Sequence, residues 1–134
     1  MKLDHIGIAV PDLEAALRFW RDALGLELVD IEVVESEGVR TAFLPVGDAS
    51  IELLEPMDDT GVIAQHIQRR GPGIHHICMD VEGIENRLDS LDAAGVRLVN
   101  RQPRPGAHGK KVAFLHPKAT GGVLVELAEP GDKA

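Results

Sequence analysis

LDHIGIAVPDLE, residues 3–14, is answered later in the chain by IHHICMDVEGIE, residues 74–85. His5 falls on His76, an offset of 71 residues (76 − 5), and Ile6, Val10 and Glu14 fall on Ile77, Val81 and Glu85. At the same offset Ala42-Phe43-Leu44 lands on Ala113-Phe114-Leu115. IELLEP (51–56) returns as VELAEP (125–130), now shifted by 74 (126 − 52), so three extra residues enter near KATGG (118–122). A long internal repeat constrains architecture more than any local propensity. Modules of about seventy residues are short for independent domains. The two are therefore read as halves of one domain over 1–134: module one at 1–58, a linker helix within 59–72 and module two at 73–130.

Each half has the same order of elements. Residues 3–10 alternate, with Ile6, Ile8 and Val10 on one face and His5, Gly7 and Ala9 on the other. Asp12 is placed to cap a helix whose Leu13, Ala16, Leu17, Trp20 and Leu24 recur at helical spacing, with Gly25 at its end. Ile84, Leu88 and Leu91, closed by Gly95, repeat that helix. Strand-like runs follow at 26–34, 40–46 and 50–55, then at 96–100, 111–115 and 123–128. Between the halves Thr60 is placed to cap a helix over 62–70 that Gly71-Pro72-Gly73 ends. The expectation is an α+β domain of two tandem βαβββ modules forming a concave, mostly antiparallel sheet.

Composition narrows the partners. The net charge of −8 disfavours a phosphate backbone, and 3% aromatic residues with no tyrosine disfavour base stacking. Cys78 is the single cysteine, so no intrachain disulfide can form. No apolar run is long enough to span a bilayer and no leader pattern follows Met1. A cytoplasmic protein with a small-molecule partner is the expectation, with neither nucleic acid nor membrane involved.

The repeat sets histidine on histidine and glutamate on glutamate. His5 and His76 sit on equivalent first strands, Glu52 and Glu126 on equivalent last strands. A lone strand histidine is most often a satisfied structural residue, and a lone glutamate in IELLEP an exposed one. Recurrence of both together has no structural need. Two imidazoles and two carboxylates make a mixed donor set suited to a divalent transition metal with open positions. Alternation puts Glu126 on the face of Leu124 and Ala128, where a carboxylate needs a partner.

These stretches, with GAHGKKVAFLHPK (106–118) and GGVLVELAEP (121–130), resemble the vicinal oxygen chelate superfamily, which includes glyoxalase I and extradiol dioxygenases. Within it the chain is most similar to the methylmalonyl-CoA epimerase family. The resemblance covers nearly the whole chain. It implies that His5, Glu52, His76 and Glu126 are metal ligands, and that Glu126 is also a catalytic acid/base. It implies a divalent metal cofactor, cobalt first and zinc, nickel or manganese as others. An acyl-CoA substrate and a homodimer are further expectations. Of the two adjacent histidines it selects His76, leaving His75 structural. Thr41 stands where some members carry a glutamate acid/base, which leaves the second proton carrier open among Glu52 and a water. Lys110, Lys111 and Lys118 are candidates for the CoA portion, in a stretch from Arg101 to Lys118 that holds five cations and no acid. Glyoxalase I-type isomerisation and a metal-free binding protein of the same fold are the competing readings.

Overall fold

The alternation at the start of the chain is realised as strand β1, Lys2–Ala9, in a computed structural model that describes residues 1–131. The chain divides into two compact units, His5–His75 and Met1–Asp4 together with the residues from His76 onward. Each is a mixed α+β module built on four strands.

In module one, β1 leads into helix α1, Leu13–Leu17, which widens into a π-helical segment, Arg18–Ala23. Strands β2 (Asp30–Val34), β3 (Val39–Val46) and β4 (Ala49–Pro56) follow, and the sheet runs β2-β3-β4-β1. β2/β3 and β3/β4 are antiparallel, while β1 pairs in parallel with β4. Asp12 caps α1 as its sequence position foretells, accepting from the Ala15 N–H at 3.2 Å. Leu13 and Leu17 bury against Val10, Ala42, Leu44 and Leu53, with Trp20, Leu26 and Leu28 completing the layer. The run 26–34 is a strand only from Asp30, because Leu26 and Leu28 turn into the helix layer instead of a ladder.

Helix α2, Val62–Arg70, joins the modules. Thr60 does not cap it. Gly61 occupies the cap position, and Thr60 instead closes a local turn with both its N–H and its hydroxyl on Asp58 Oδ1 at 2.8 Å. Ile63 of α2 packs on Ala9, Val39 and Leu54, the sheet face away from α1. His66 meets His75 edge to face, with ring centroids 4.9 Å apart.

Module two repeats the plan with β5 (Gly73–Asp80), α3 (Ile84–Ala93), β6 (Arg104–Pro105), β7 (Lys111–Leu115) and β8 (Val125–Glu129), in the order β5-β8-β7-β6. β5 and β8 are parallel, and the other two pairs are antiparallel. The run 96–100 does not form a strand. It makes a single bridge, Leu98 to Leu115, and the ladder against β7 is only two residues long at β6. Pro103 and Pro105 lack the N–H groups a longer ladder needs. Ile84 and Leu88 bury with Val81, Ala113, Leu115 and Leu127, reproducing the helix layer of module one.

One repeated device ties helix to sheet. Glu55 Oε2 accepts from the Leu13 N–H at 2.6 Å, at the start of α1, and Glu55 Oε1 accepts from Arg40 Nε at 3.1 Å. Glu129, its repeat equivalent, accepts from the Gly83 N–H at the start of α3. A carboxylate there satisfies an orphan donor and complements the positive end of the helix dipole. Glu55→Ala is expected to cost about 1–2 kcal/mol of stability in chemical denaturation, the range of a lost helix cap with a charge contribution. An unchanged midpoint would contradict the anchoring role.

Burial, with the charge of Arg70 behind it, holds the His66 imidazole below its usual pKa of 6.5. A depressed histidine binds fewer protons folded than unfolded, so stability rises with pH between the two values. The contribution is complete above the unfolded pKa and is lost as pH falls through the folded one. Wild-type stability should therefore drop on going from pH 7 to pH 5 by more than that of His66→Gln, as read from urea midpoints at each pH. Parallel profiles would contradict this.

Candidate metal centre and active site

The parallel ladder of module one sets Gly7 opposite Glu52 and His5 opposite Ser50. Residues two apart on one strand share a face, so His5 and Glu52 project to the same side. His5 Nδ1 lies 2.9 Å from Glu52 Oε2. In module two the ladder sets Cys78 opposite Glu126, with His76 two residues before Cys78. His76 Nε2 lies 3.2 Å from Glu126 Oε1. Each module thus builds the same pair from its first and last strands, though the two imidazoles present different nitrogens.

All four residues are buried, none more than 8% exposed. Their surroundings are apolar on both sides. Phe43 is the cross-strand neighbour of Glu52, and Phe114 that of Glu126. Phe114 also meets the His76 ring edge-on at 5.7 Å. The repeat aligns these phenylalanines, but nothing in their residue type marks them as walls of a polar site. A carboxylate held in such surroundings is costly unless an imidazole or a cation answers its charge. Two imidazoles and two carboxylates are the residue types that fit a borderline divalent ion.

The other candidate residues are placed as follows. His75 packs on His66, so the adjacent histidines of GIHH have separate surroundings. Thr41 is buried on β3, between Glu32 on β2 and Leu54 on β4. Lys110 Nζ donates to Asp4 Oδ1 at 2.8 Å. Burial works against the Lys110 ammonium, but the hydrogen bond and charge of Asp4, with Cys78 and Asp80, outweigh it and raise its pKa. Lys111 reaches Glu85 at 3.4 Å, and Arg101 reaches Asp92 at 2.6 Å. The basic stretch from Arg101 to Lys118 is therefore largely neutralised by Asp4, Glu85 and Asp92, acids from outside the segment, which the order of residues alone does not reveal. Lys118 forms no ion pair among the described residues; its backbone N–H donates to His116 Nδ1.

No helix among the described residues is long and apolar enough to cross a membrane. Residues 4–114 match the Glyoxalase/Bleomycin resistance protein/Dioxygenase superfamily. An ethylmalonyl-CoA/methylmalonyl-CoA epimerase of Cereibacter sphaeroides is 43% identical over 130 residues, covering 96% of this chain and 97% of its own. The crystal structure of methylmalonyl-CoA epimerase from Mycobacterium tuberculosis superposes with a TM-score of 0.92 at 41% identity, over 98% of this chain and 89% of that one. A methylmalonyl-CoA epimerase solved in complex with methylmalonyl-CoA and ammonium gives 0.90 at 36% identity, over 96% and 94% of the two chains. With a matched superfamily region over most of its length and epimerase relatives spanning nearly all of it, the chain belongs to the methylmalonyl-CoA epimerase family of the glyoxalase/bleomycin resistance superfamily.

Proposed function

We propose that this protein epimerises methylmalonyl-CoA at its α-carbon, with His5, Glu52, His76 and Glu126 as the ligands of one divalent metal. The observation that carries the reading is the duplicated buried pair, His5 with Glu52 at 2.9 Å and His76 with Glu126 at 3.2 Å. Relatives about 40% identical that are epimerases of this substrate support it.

The reaction removes an α-proton from a thioester and returns it to the opposite face. Its barrier is dominated by charge developing on the thioester oxygen as the enolate forms. A divalent cation on these four groups, with cobalt first among those the set suits, supplies Lewis-acid stabilisation of that charge. The protein's own residues do the rest. Glu126 accepts the α-proton on one face and returns it in the reverse direction. Phe43 and Phe114 flank the carboxylates and keep water from crowding them. Lys118 is the lysine left to meet a CoA phosphate, since Lys110 is engaged by Asp4 and Lys111 by Glu85. An assembly of two copies in the cytoplasm belongs to the same reading, and sedimentation reads the assembly directly.

His76→Ala should lose bound metal and epimerisation, whereas His75→Ala should keep most of both and change stability only. Metal content after dialysis, beside conversion rate, checks this; metal lost from the His75 variant and kept by the His76 variant would reverse the assignment of the two faces.

Glutamine can offer a carbonyl oxygen to a metal but cannot accept a proton in the useful range. Glu126→Gln should keep much of its metal while α-proton exchange into heavy water falls by roughly 10²–10⁴-fold. Glu52→Gln should lose less. Equal, mild losses at both positions would place the base elsewhere.

A further inference from the structure

The helix layer of module two departs from that of module one at one position. In module one Trp20 packs on the cluster that includes Leu44 and Leu53, with Ile8 and Ile51 in the same layer. At the offset of 71, Trp20 falls on Leu91, Ile8 on Met79 and Leu44 on Leu115; at the offset of 74, Ile51 falls on Val125 and Leu53 on Leu127. The apolar floor is kept, while the bicyclic side chain over it gives way to a smaller one. Met79, Leu91, Leu115, Val125 and Leu127 line a solvent-open cavity of about 500 Å³ between α3 and the strands. We propose that this cavity is a binding site for a flat aromatic monocarboxylate.

The shape argument comes from the repeat, since the equivalent floor of module one holds an indole. The volume lies in the range of about 300–1,000 Å³ usual for small-molecule sites, and apolar walls with a few polar groups are their usual make-up. The polar groups come from α3. Asn86, Arg87 and Ser90 line the cavity where the repeat of module one has Ala15, Ala16 and Phe19. Ala16 packs on the apolar cluster of its module, so one helix position closes the layer there and brings a guanidinium to the cavity here. Arg87 forms no ion pair among the described residues. Its planar fork of N–H donors matches a carboxylate. Glu82 also lines the cavity, which disfavours a second negative charge on the occupant.

The cavity is separate from the buried imidazole–carboxylate pair. Val125 and Leu127 flank Glu126 on β8, and Met79 lies an odd number of residues from His76 on β5, so these apolar side chains take the opposite face of the strands. That face packs against α3 through Leu115 and Leu127, while the other holds His76 beside Glu126. The inference therefore goes beyond the epimerase reading and does not depend on it.

The methionines supply the test. Met1 and Met79 line the cavity and Met57 does not. The full chain, labelled at its methionine methyl groups, is titrated by NMR with indole-3-acetate, and with indole and tryptamine as uncharged and cationic counterparts. Indole-3-acetate should move the Met79 methyl signal saturably through its ring current and leave that of Met57 in place. It should bind more tightly than tryptamine. Arg87→Gln, an exposed change on α3, should weaken indole-3-acetate about fivefold, the scale of a solvent-exposed charge pair, and leave indole unchanged. Added salt should narrow that difference. Leu91→Trp should fill the cavity as Trp20 fills its counterpart and abolish the Met79 shift; if that variant does not fold, the wild-type and Arg87→Gln titrations decide alone. Absence of a saturable Met79 shift by about 10 mM ligand would overturn the site. So would tryptamine binding as tightly as indole-3-acetate, or an Arg87→Gln variant that binds as wild type does. A Met79 shift seen only on dilution, as sedimentation shows copies separating, would assign the cavity to a second copy of the chain and overturn the proposal as well.

Discussion

Parallel pairing of the first strand with the last is the constraint on which each module depends. A βαβββ unit written linearly puts His5 and Glu52 47 residues apart (52 − 5), and His76 and Glu126 50 apart (126 − 76). The parallel ladder makes them neighbours on one face, because Gly7 pairs with Glu52 and Cys78 with Glu126. Parallel neighbours need a long crossover, and in this fold the helix and two antiparallel strands supply it. The meeting of imidazole and carboxylate is thus a property of topology first and of local sequence second.

The last strand of each module serves both faces at once. Its two glutamates are three residues apart, an odd spacing that sends them to opposite sides of the sheet. Glu52 and Glu126 face the imidazoles; Glu55 and Glu129 hold the first turns of α1 and α3. IELLEP and VELAEP therefore encode the partner of a buried imidazole and a helix anchor in six residues. The anchor acts on the same strand that carries the buried carboxylate, so the helix layer and the buried pair share one element.

Much of this could be read from the residues. The offset between His5 and His76 locates the modules, while it is the family resemblance that selects His76 over His75. What escaped was what depends on distant partners. Leu26 and Leu28 have strand composition, yet the helix layer takes them. The run 96–100 alternates plausibly but has no ladder partner long enough, given the prolines that follow. Thr60 has the residue type of a cap but is drawn into a turn with Asp58. The cations from Arg101 onward look like a patch until Asp4, Glu85 and Asp92 arrive from outside the segment. Each difference is a case of tertiary contact overriding local preference.

The first-to-last pairing also governs how such a module folds. His5 and Ser50 are 45 residues apart (50 − 5) and Ile77 and Val125 are 48 apart (125 − 77), so the closing ladder is the least local strand pairing of either module. Hairpins β3/β4 and β7/β8 can form from near neighbours, whereas the closing ladder must first overcome chain entropy that grows with loop length. The three-residue insertion in module two lengthens that loop so slightly that its cost changes by well under about 0.6 kcal/mol, the increment for a full doubling. Both copies therefore meet nearly the same kinetic barrier, and in each the imidazole and carboxylate come together only at the step that closes the unit.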